Sequence, residues 1–334
     1  MKNKLKIIAE IAQGFEGNFT QSKLLISAAA KSGADAVKFQ LVYADELATA
    51  DYQYYSLFKN LEMSEMQWKD LSDYAISLGS KLIVDVFGEK SLETAENIGI
   101  DTVKVHGTDV TNLGLLESIS SSSIKMVILG LGGAHWKEIE NALKIFNSKS
   151  LVLLCGFQGY PTKTVDNHIA RMNVIKEKAK SIHTDFEMGF ADHPKENQYS
   201  STISLVAIGA GASIIEKHLT LGKVMEMEDF ESALNPDEFQ HFVTQLKTGK
   251  KALGQFTEND DFGMSEAERT YRENVRRDVV AKKKITKGET LNVQNTTLKR
   301  TEQVNTIKQL ELVLGRTAKN VIQKNQSIER KDIN

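Results

Sequence analysis

Two histidines in the second half of the chain have positions that suit metal chemistry. His193 lies in "GFADHPKEN" (189–197), and His218 ends the β-prone stretch of "ASIIEKHL" (212–219). Neutral imidazoles bind divalent transition metals, although nitrogen ligands alone do not choose among Mn, Fe, Co and Zn. The alternative for His193 is structural, because Asp and His before a proline are also common in turns.

Acidic residues accompany both histidines. Asp192 directly precedes His193, and Glu216 lies two residues before His218. In an extended strand alternate residues share a face, so Glu216 and His218 point the same way and Lys217 points the other way. Asp192 or Glu216 can therefore orient an imidazole or bind a metal through water.

Two lysines, Lys38 in "VKFQ" and Lys104 in "VKVHG", also follow apolar stretches. Two interpretations stay open for them. Together they can form a cradle for a phosphate or a carboxylate. Alternatively, they pair with carboxylates of the chain itself, for which Glu10, Asp85 and Asp109 are the candidates.

A repeated pattern predicts the elements that position these side chains. Short runs rich in Val, Ile and Leu alternate with longer stretches that have apolar residues at helical spacing. Several of the helical stretches end at a glycine, as at Gly33, Gly79 and Gly99, which favours a left-handed helix terminus. The eight predicted strands are 6–12, 35–42, 81–87, 102–107, 125–131, 151–157, 186–192 and 212–219.

Eight strand–helix units predict an α/β fold of the closed (β/α)8 TIM-barrel type. In such barrels the catalytic residues lie at the carboxyl ends of the strands, which is where the two lysines and the two histidines are predicted to lie. We therefore predict a catalytic barrel over 1–250, a charged connector over 251–274, and a small β-rich domain over 275–334.

Composition excludes several classes of function. The chain has 334 residues, 41% of them hydrophobic, and a formal net charge of -2. Such a balance gives no general attraction to nucleic acid or to anionic lipid, so we expect neither as a partner. Its single cysteine, Cys155, excludes an intrachain disulfide, and the first apolar run is too short for a membrane span. We expect a cytoplasmic protein.

Five motifs of the predicted barrel occur in this order: "IIAEIAQGFEGNFTQSKLLISAAAKSGADAVKFQ", "VLLCGFQGYPT", "GFADH", "GASIIEKHLTL" and "NPDEF". Together they resemble the motifs of the sialic acid synthases and the wider nonulosonic acid synthase family. The tail "VVAKKKITKGETLNVQNTTLKR" is similar to their antifreeze-like (SAF, β-clip) domain. The resemblance covers nearly the whole chain.

This resemblance implies an activity. Family members condense phosphoenolpyruvate with the open-chain aldehyde of an N-acylated hexosamine such as N-acetylmannosamine, and they release phosphate. It also implies a manganese ion held by His193 and His218, and a domain-swapped homodimer in which each cap covers the partner's barrel mouth.

The resemblance further implies roles for single residues. Catalytic roles fall to Glu16, near the sugar and the attacking water, to Glu216, near the metal, and to Asp192. The residues that match substrate-binding positions are Lys38 and Lys104 for phosphoenolpyruvate, Asp109, Tyr160 on the donor side, Asp229 facing the sugar, and Arg300 from the cap.

The chain also departs from the family pattern. Where the family commonly reads "STPF", "KIGSGE", "STG" and "SDH", this chain reads "VDVF", "KVHGTD", "GLGG" and "ADH". Asp85, Gly107, Gly130 and Ala191 thus replace residues with hydroxyl groups, and Phe15 replaces a histidine. Either lysines and glycine N–H groups hold the donor, or the substrate is a different one.

Two other functions remain open at this stage. The first is a metal-free aldolase in which Lys104 forms a Schiff base with a keto substrate. The second is a non-catalytic protein that binds a sugar acid or regulates a partner.

Overall fold

Eight parallel strands form a closed barrel in this computed structural model, which describes residues 4–156, 159–194, 196–254 and 257–334. Each strand pairs with its neighbour in sequence, and β8 pairs with β1. The predicted barrel and its eight strands are confirmed. The strands are β1 (Lys6–Ala12), β2 (Ala36–Gln40), β3 (Lys81–Asp85), β4 (Thr102–Val105), β5 (Met126–Gly130), β6 (Ser150–Gly156), β7 (Phe186–Asp192) and β8 (Ile214–His218).

Helices follow the strands and pack on the outside of the barrel wall. Gly33, Gly79 and Gly99 have φ values of 85°, 75° and 81°, so each turns the chain after a helix as the sequence predicts. The helices of this unit are α1 (Phe19–Lys31), α2 (Ala44–Leu47), α3 (Tyr55–Leu61), α4 (Glu65–Ser77), α5 (Glu89–Asn97), α6 (Leu113–Ser121), α7 (Trp136–Ile145), α8 (Arg171–Lys180), α9 (Ser200–Gly209) and α10 (Pro236–Leu253).

A large apolar core lies between the wall and the helices. Phe15 belongs to it: its ring contacts Phe39 and Trp68 edge to face, with centroids 5.5 and 5.7 Å away. The side chain that replaces a family histidine therefore packs in the core and does not line the barrel mouth. Burial of such rings stabilises the loop after β1.

Gln255–Asn334 form a second compact unit, separate from Met1–Gly254. The predicted connector, 251–274, contains the end of α10 and most of α11 (Glu266–Val275). A capping box between Ser265 and Glu268 begins α11.

The rest of this unit is built around a short antiparallel pair, β9 (Asp278–Ala281) and β10 (Thr296–Lys299). Its antifreeze-like identity stays a prediction. The unit has a core of its own, made of Val279, Ala281, Ile285, Leu291, Ile307, Val313, Ala318, Ile322, Ile328 and Ile333. In the described parts of the chain, no helix is both long and apolar enough to cross a membrane.

Candidate active site

A cavity of about 260 Å³ opens at the carboxyl ends of the barrel strands. Its wall combines imidazoles, carboxylates, one lysine and several glycines. The described residues that line it are Glu10, Ala12, Gln13, Gln40, Lys104, His106, Gly107, Gly130, Leu131, Gly132, Leu154, Gly156, Tyr160, Ala191, His193, Glu216, His218 and Asp229.

His193 and His218 lie side by side in this cavity. Their ring centroids are 5.0 Å apart, and the ring of Tyr160 lies 5.8 Å from the first and 5.7 Å from the second. The two histidines converge because β7 and β8 are neighbours in the barrel, each histidine standing at the end of its strand. The turn interpretation of "DHP" alone does not account for this arrangement.

Both imidazoles are neutral at neutral pH. Burial lowers the pKa of His193 to about 3, although Glu216 opposes the shift. Burial, with a further contribution from His193 and nearby lysines, holds the pKa of His218 well below its ordinary value. The neutral ring is the form that binds a metal.

The imidazole pair fits a divalent transition metal as part of a ligand set. Among the described residues, no group of three or more His, Cys, Asp and Glu side chains is placed to hold an ion. Water or substrate oxygens would therefore have to complete the coordination shell of a metal bound by these two nitrogens.

Beside the histidines, two lysines and three carboxylates form a buried cluster, which we call the ion cluster: Lys38, Lys104, Glu10, Asp85 and Glu216. Lys38 Nζ lies 2.7 Å from Asp85 Oδ1 and 3.6 Å from Glu216 Oε2, and it also contacts Glu10. Lys104 Nζ lies 2.9 Å from Glu216 Oε1, 3.6 Å from Asp85 Oδ2 and 3.7 Å from Glu10 Oε2.

Strand register explains why these five residues meet. Glu10 is opposite Lys38 across β1 and β2, and Asp85 is opposite Lys104 across β3 and β4. Ala12, at a φ of 50°, interrupts the regular register of β1, and its N–H donates to Glu10 Oε1 at 2.8 Å. That bond holds the Glu10 carboxyl group in place over the barrel interior.

The carboxyl groups of Glu10 and Glu216 differ in protonation. Burial raises the pKa of Glu10 to about 8, although Lys38 opposes the shift. Burial also disfavours ionised Glu216, but Lys104 and Lys38 outweigh it and lower the pKa of Glu216 to about 2. At neutral pH the cluster therefore holds a protonated Glu10 and an ionised Glu216.

Of the two interpretations of the lysines, the structure shows the pairing. Their partners are Glu10 and Asp85, as the sequence suggested, together with Glu216. Asp109 is not among them: it lies at the end of a 3₁₀ turn after β4 and accepts a hydrogen bond from Thr108 Oγ1.

Comparison with known proteins identifies the family of this chain. The sequence model of the NeuB family matches residues 25–258. The chain belongs to the NeuB family. It is 30% identical to the N,N'-diacetyllegionaminic acid synthase of Campylobacter jejuni, over 94% of this chain and 96% of that protein. Members of the family are carbon–carbon bond-forming transferases that use phosphoenolpyruvate, and the chain is an enzyme of this class.

Solved structures show the same likeness. The N-acetylneuraminic acid synthetase of Leptospira borgpetersenii, solved with citrate, superposes with a TM-score of 0.73 at 27% identity, over 82% of this chain and 93% of that one. A spore coat polysaccharide biosynthesis protein of Bacillus subtilis shares the fold, with a TM-score of 0.62 at 24% identity, over 99% of this chain and 95% of that one.

In this NeuB-family chain Asp192 lies apart from the cavity. It is fully buried and pairs with Lys217, whose Nζ is 3.1 Å from Asp192 Oδ2 and 3.0 Å from Asn197 Oδ1. Burial raises the pKa of Asp192 and lowers that of Lys217, so it acts against both charges. Lys217 points away from Glu216 and His218, as strand alternation predicts.

Asp229 and Tyr160 form a second wall of the cavity. The hydroxyl group of Tyr160 donates to the backbone oxygen of Asp229, which has a left-handed φ of 65°. Burial raises the pKa of the Asp229 carboxyl group to about 6. Both residues line the cavity, and the substrate-binding role that the resemblance implies for them stays a prediction.

Glu16 is not among the described residues that line this cavity, and Arg300 belongs to the second unit. Glu16 is exposed on the loop after β1, with a φ of 53°. Arg300 is exposed in the second unit, directly after β10. Their predicted roles in catalysis and in acceptor binding stay predictions.

The sequence analysis missed two features of the cavity. Gln13 donates through Nε2 to Gln40 Oε1 at 2.8 Å, and both side chains line the wall. Gln40 follows Lys38 at strand spacing, which is the signal that points to it. The second feature is the close approach of the loops after β4 and β5: a Cβ atom on Gly107 would lie 2.7 Å from Gly132 O.

Proposed function

We propose that the enzyme condenses phosphoenolpyruvate with an open-chain N-acyl amino sugar, giving a nonulosonic acid and inorganic phosphate. The observation that carries the proposal is that the neutral imidazoles of His193 and His218 share one cavity with three members of the ion cluster, Glu10, Lys104 and Glu216. Membership of the NeuB family supports the same reaction class.

In the proposed reaction C3 of phosphoenolpyruvate forms a bond to the aldehyde carbon of the sugar. Water adds at C2 of the donor, and the C2–O bond to phosphate breaks. The oxygen of this water becomes the ketone oxygen at C2, and its two protons go to the aldehyde oxygen and to the departing phosphate, so the products are the 2-keto acid and phosphate. The protein must therefore hold the donor and the aldehyde together and admit a single water molecule.

Residues of this chain divide these tasks. Lys104, which lines the cavity, is the cation within reach of an anionic donor. Asp229 carries a carboxyl group with a raised pKa, which suits it to hydrogen bonding with sugar hydroxyls. Glu16 is proposed to steer the attacking water as a general base, which requires its loop to reach the cavity.

His193 and His218 are the residues proposed to hold a divalent metal, Mn²⁺. Lewis-acid polarisation of the aldehyde oxygen is the chemistry that such a bound metal supplies. The Schiff-base alternative at Lys104 is less well supported, because the ammonium group of that lysine contacts three carboxyl groups and a Schiff-base lysine must attack as a free amine.

A homodimer in which each C-terminal unit covers the partner's barrel is part of the proposal, and it gives Arg300 its role at the acceptor's N-acyl group. Analytical ultracentrifugation of the full chain tests the dimer. A monomer at micromolar concentration would contradict it.

The experiment that tests the function is a product screen. Purified protein is incubated with phosphoenolpyruvate, Mn²⁺ and a panel of N-acyl amino sugars and plain aldoses, and phosphate and 2-keto acid are both followed, the latter by mass spectrometry. We expect equimolar formation of the two products with at least one acceptor. Absence of coupled release with every acceptor would contradict the proposal. Borohydride trapping at Lys104 would favour the aldolase instead.

A further inference from the structure

The anionic donor would bind at a site where carboxyl groups of the protein already contact the positively charged lysines. Lys104 is the one Lys or Arg side chain among the described residues that line the cavity. Its ammonium group already contacts three carboxyl groups, of which Glu216 is nearest at 2.9 Å. Lys38 is fully buried beneath it and pairs with Asp85 at 2.7 Å.

Asp85 contacts both lysines, as Glu10 and Glu216 also do, and it stands where the sequence analysis expects a hydroxyl-bearing residue. It is fully buried, and its two oxygens face Lys38 at 2.7 Å and Lys104 at 3.6 Å. In the ion cluster two lysines thus meet three carboxyl groups, each within 4 Å of both ammonium groups. A neutral side chain at residue 85 would remove one of these three carboxyl groups from both lysines.

Hydroxyl groups of the cavity wall do not compensate for the lysine charge that the carboxyl groups neutralise. Tyr160 is the one hydroxyl-bearing side chain among the described residues of the cavity wall, and it already donates to Asp229 O. On the opposite side, a Cβ atom on Gly130 would lie 2.9 Å from Gly107 N, so the glycine loops have no room for serine side chains.

We infer that Asp85 is a specificity-determining residue that neutralises charge of Lys104 and of the buried Lys38, and so competes with the anionic donor for Lys104. The inference rests on the proposed function for the identity of the donor. Asp85 weakens the binding of any phosphate-bearing anion, because that anion must draw on a lysine whose charge Asp85 already neutralises. Contacts that only the correct substrates make then have to supply the remaining affinity.

The test is direct binding without turnover. Isothermal titration calorimetry measures the affinity of inorganic phosphate and of phosphoenolpyruvate for the wild-type protein and for Asp85→Asn. Glu10 also contacts both lysines, so a second variant combines Asp85→Asn with Glu10→Gln. The matched control is Asp101→Asn, which removes the same charge at the opposite end of the barrel, where Asp101 pairs with Lys81 at 2.9 Å.

We expect both anions to bind at least tenfold more tightly to the double variant, with a smaller gain for Asp85→Asn and no change for Asp101→Asn. Thermal unfolding shows whether each variant is folded, and Asp85→Ser serves as a second neutral replacement if Asp85→Asn is not. Unchanged or weaker binding by the folded neutral variants would overturn the inference.

This outcome is distinguishable from failure of the proposed function. If the chain does not condense phosphoenolpyruvate, no acceptor gives coupled product, yet the neutral variants still gain affinity for inorganic phosphate. If the inference fails and the function stands, wild-type turnover is seen without any gain in anion affinity.

Discussion

Lys217 Nζ lies 3.1 Å from Asp192 Oδ2, and the residues that follow each of them in sequence, His218 and His193, face the cavity. Strand alternation separates the two pairs: the ion pair is on the outer face of β7 and β8, and the imidazole pair is on the inner side. The outer pair therefore fixes the strand ends that present the two histidines.

Replacing Asp192 should destabilise the barrel. Asp192→Asn leaves the buried Lys217 ammonium without its carboxylate, and we expect a loss of roughly 3–5 kcal/mol in the free energy of unfolding. Combining Asp192→Asn with Lys217→Met should recover much of that loss. Tryptophan fluorescence during urea unfolding measures it, since Trp68 and Trp136 both lie in the barrel unit. A stable but inactive Asp192→Asn would instead indicate a direct catalytic role.

Glu10 should make barrel stability depend on pH. Its pKa in the folded protein is about 8, above the ordinary value of a glutamate. The contribution of the protonated Glu10 to the free energy of unfolding is therefore fully present near pH 4 and is lost as the pH rises through 8. In Glu10→Gln this decline, up to about 1.4 kcal/mol per pH unit, should be absent. Urea unfolding of both proteins between pH 5.5 and 8.5, in metal-free buffer, checks it. Parallel pH profiles of the two proteins would contradict the assignment.

A serine should not be tolerated at Gly107. Its Cβ atom would lie 2.7 Å from the backbone oxygen of Gly132, so the two loops would have to separate. We expect Gly107→Ser to cost about 1–3 kcal/mol of unfolding free energy. The control is Gly114→Ala in α6, where the nearest atom would be 3.9 Å away and where stability should be unchanged or raised by up to about 1 kcal/mol. Equal stability of the two variants would show that the β4 and β5 loops adapt freely.

The elements could be predicted from the sequence because each depends on a local pattern. The apolar run of β7 and the glycine after α1 predict their own conformations without knowledge of the rest of the chain. Even the convergence of His193 and His218 needed only one further step, the adjacency of β7 and β8 in a barrel.

The ion cluster could not be predicted fully, because it depends on distances across the barrel. Strand alternation places Lys38, Glu10 and Glu216 on the inner face, but it does not say which charges meet. The break in the register of β1 at Ala12, which orients Glu10, leaves no clear signal in the sequence, since alanine rarely has a positive φ. Asp192 was misleading for a related reason: its sequence neighbour His193 faces the cavity, whereas Asp192 faces Lys217.

The histidine pair gives the last prediction. If His193 and His218 hold a divalent metal, His193→Ala and His218→Ala should each lower Mn²⁺ affinity, measured by electron paramagnetic resonance, and lower turnover by at least a hundredfold, because one nitrogen ligand cannot replace two. His241→Ala, on the exposed side of α10, is the matched control and should bind Mn²⁺ as the wild type does. Chelation should abolish wild-type turnover, and added Mn²⁺ should restore it. Turnover that persists in chelator would rule out the metal and return the Lys104 aldolase as the leading alternative.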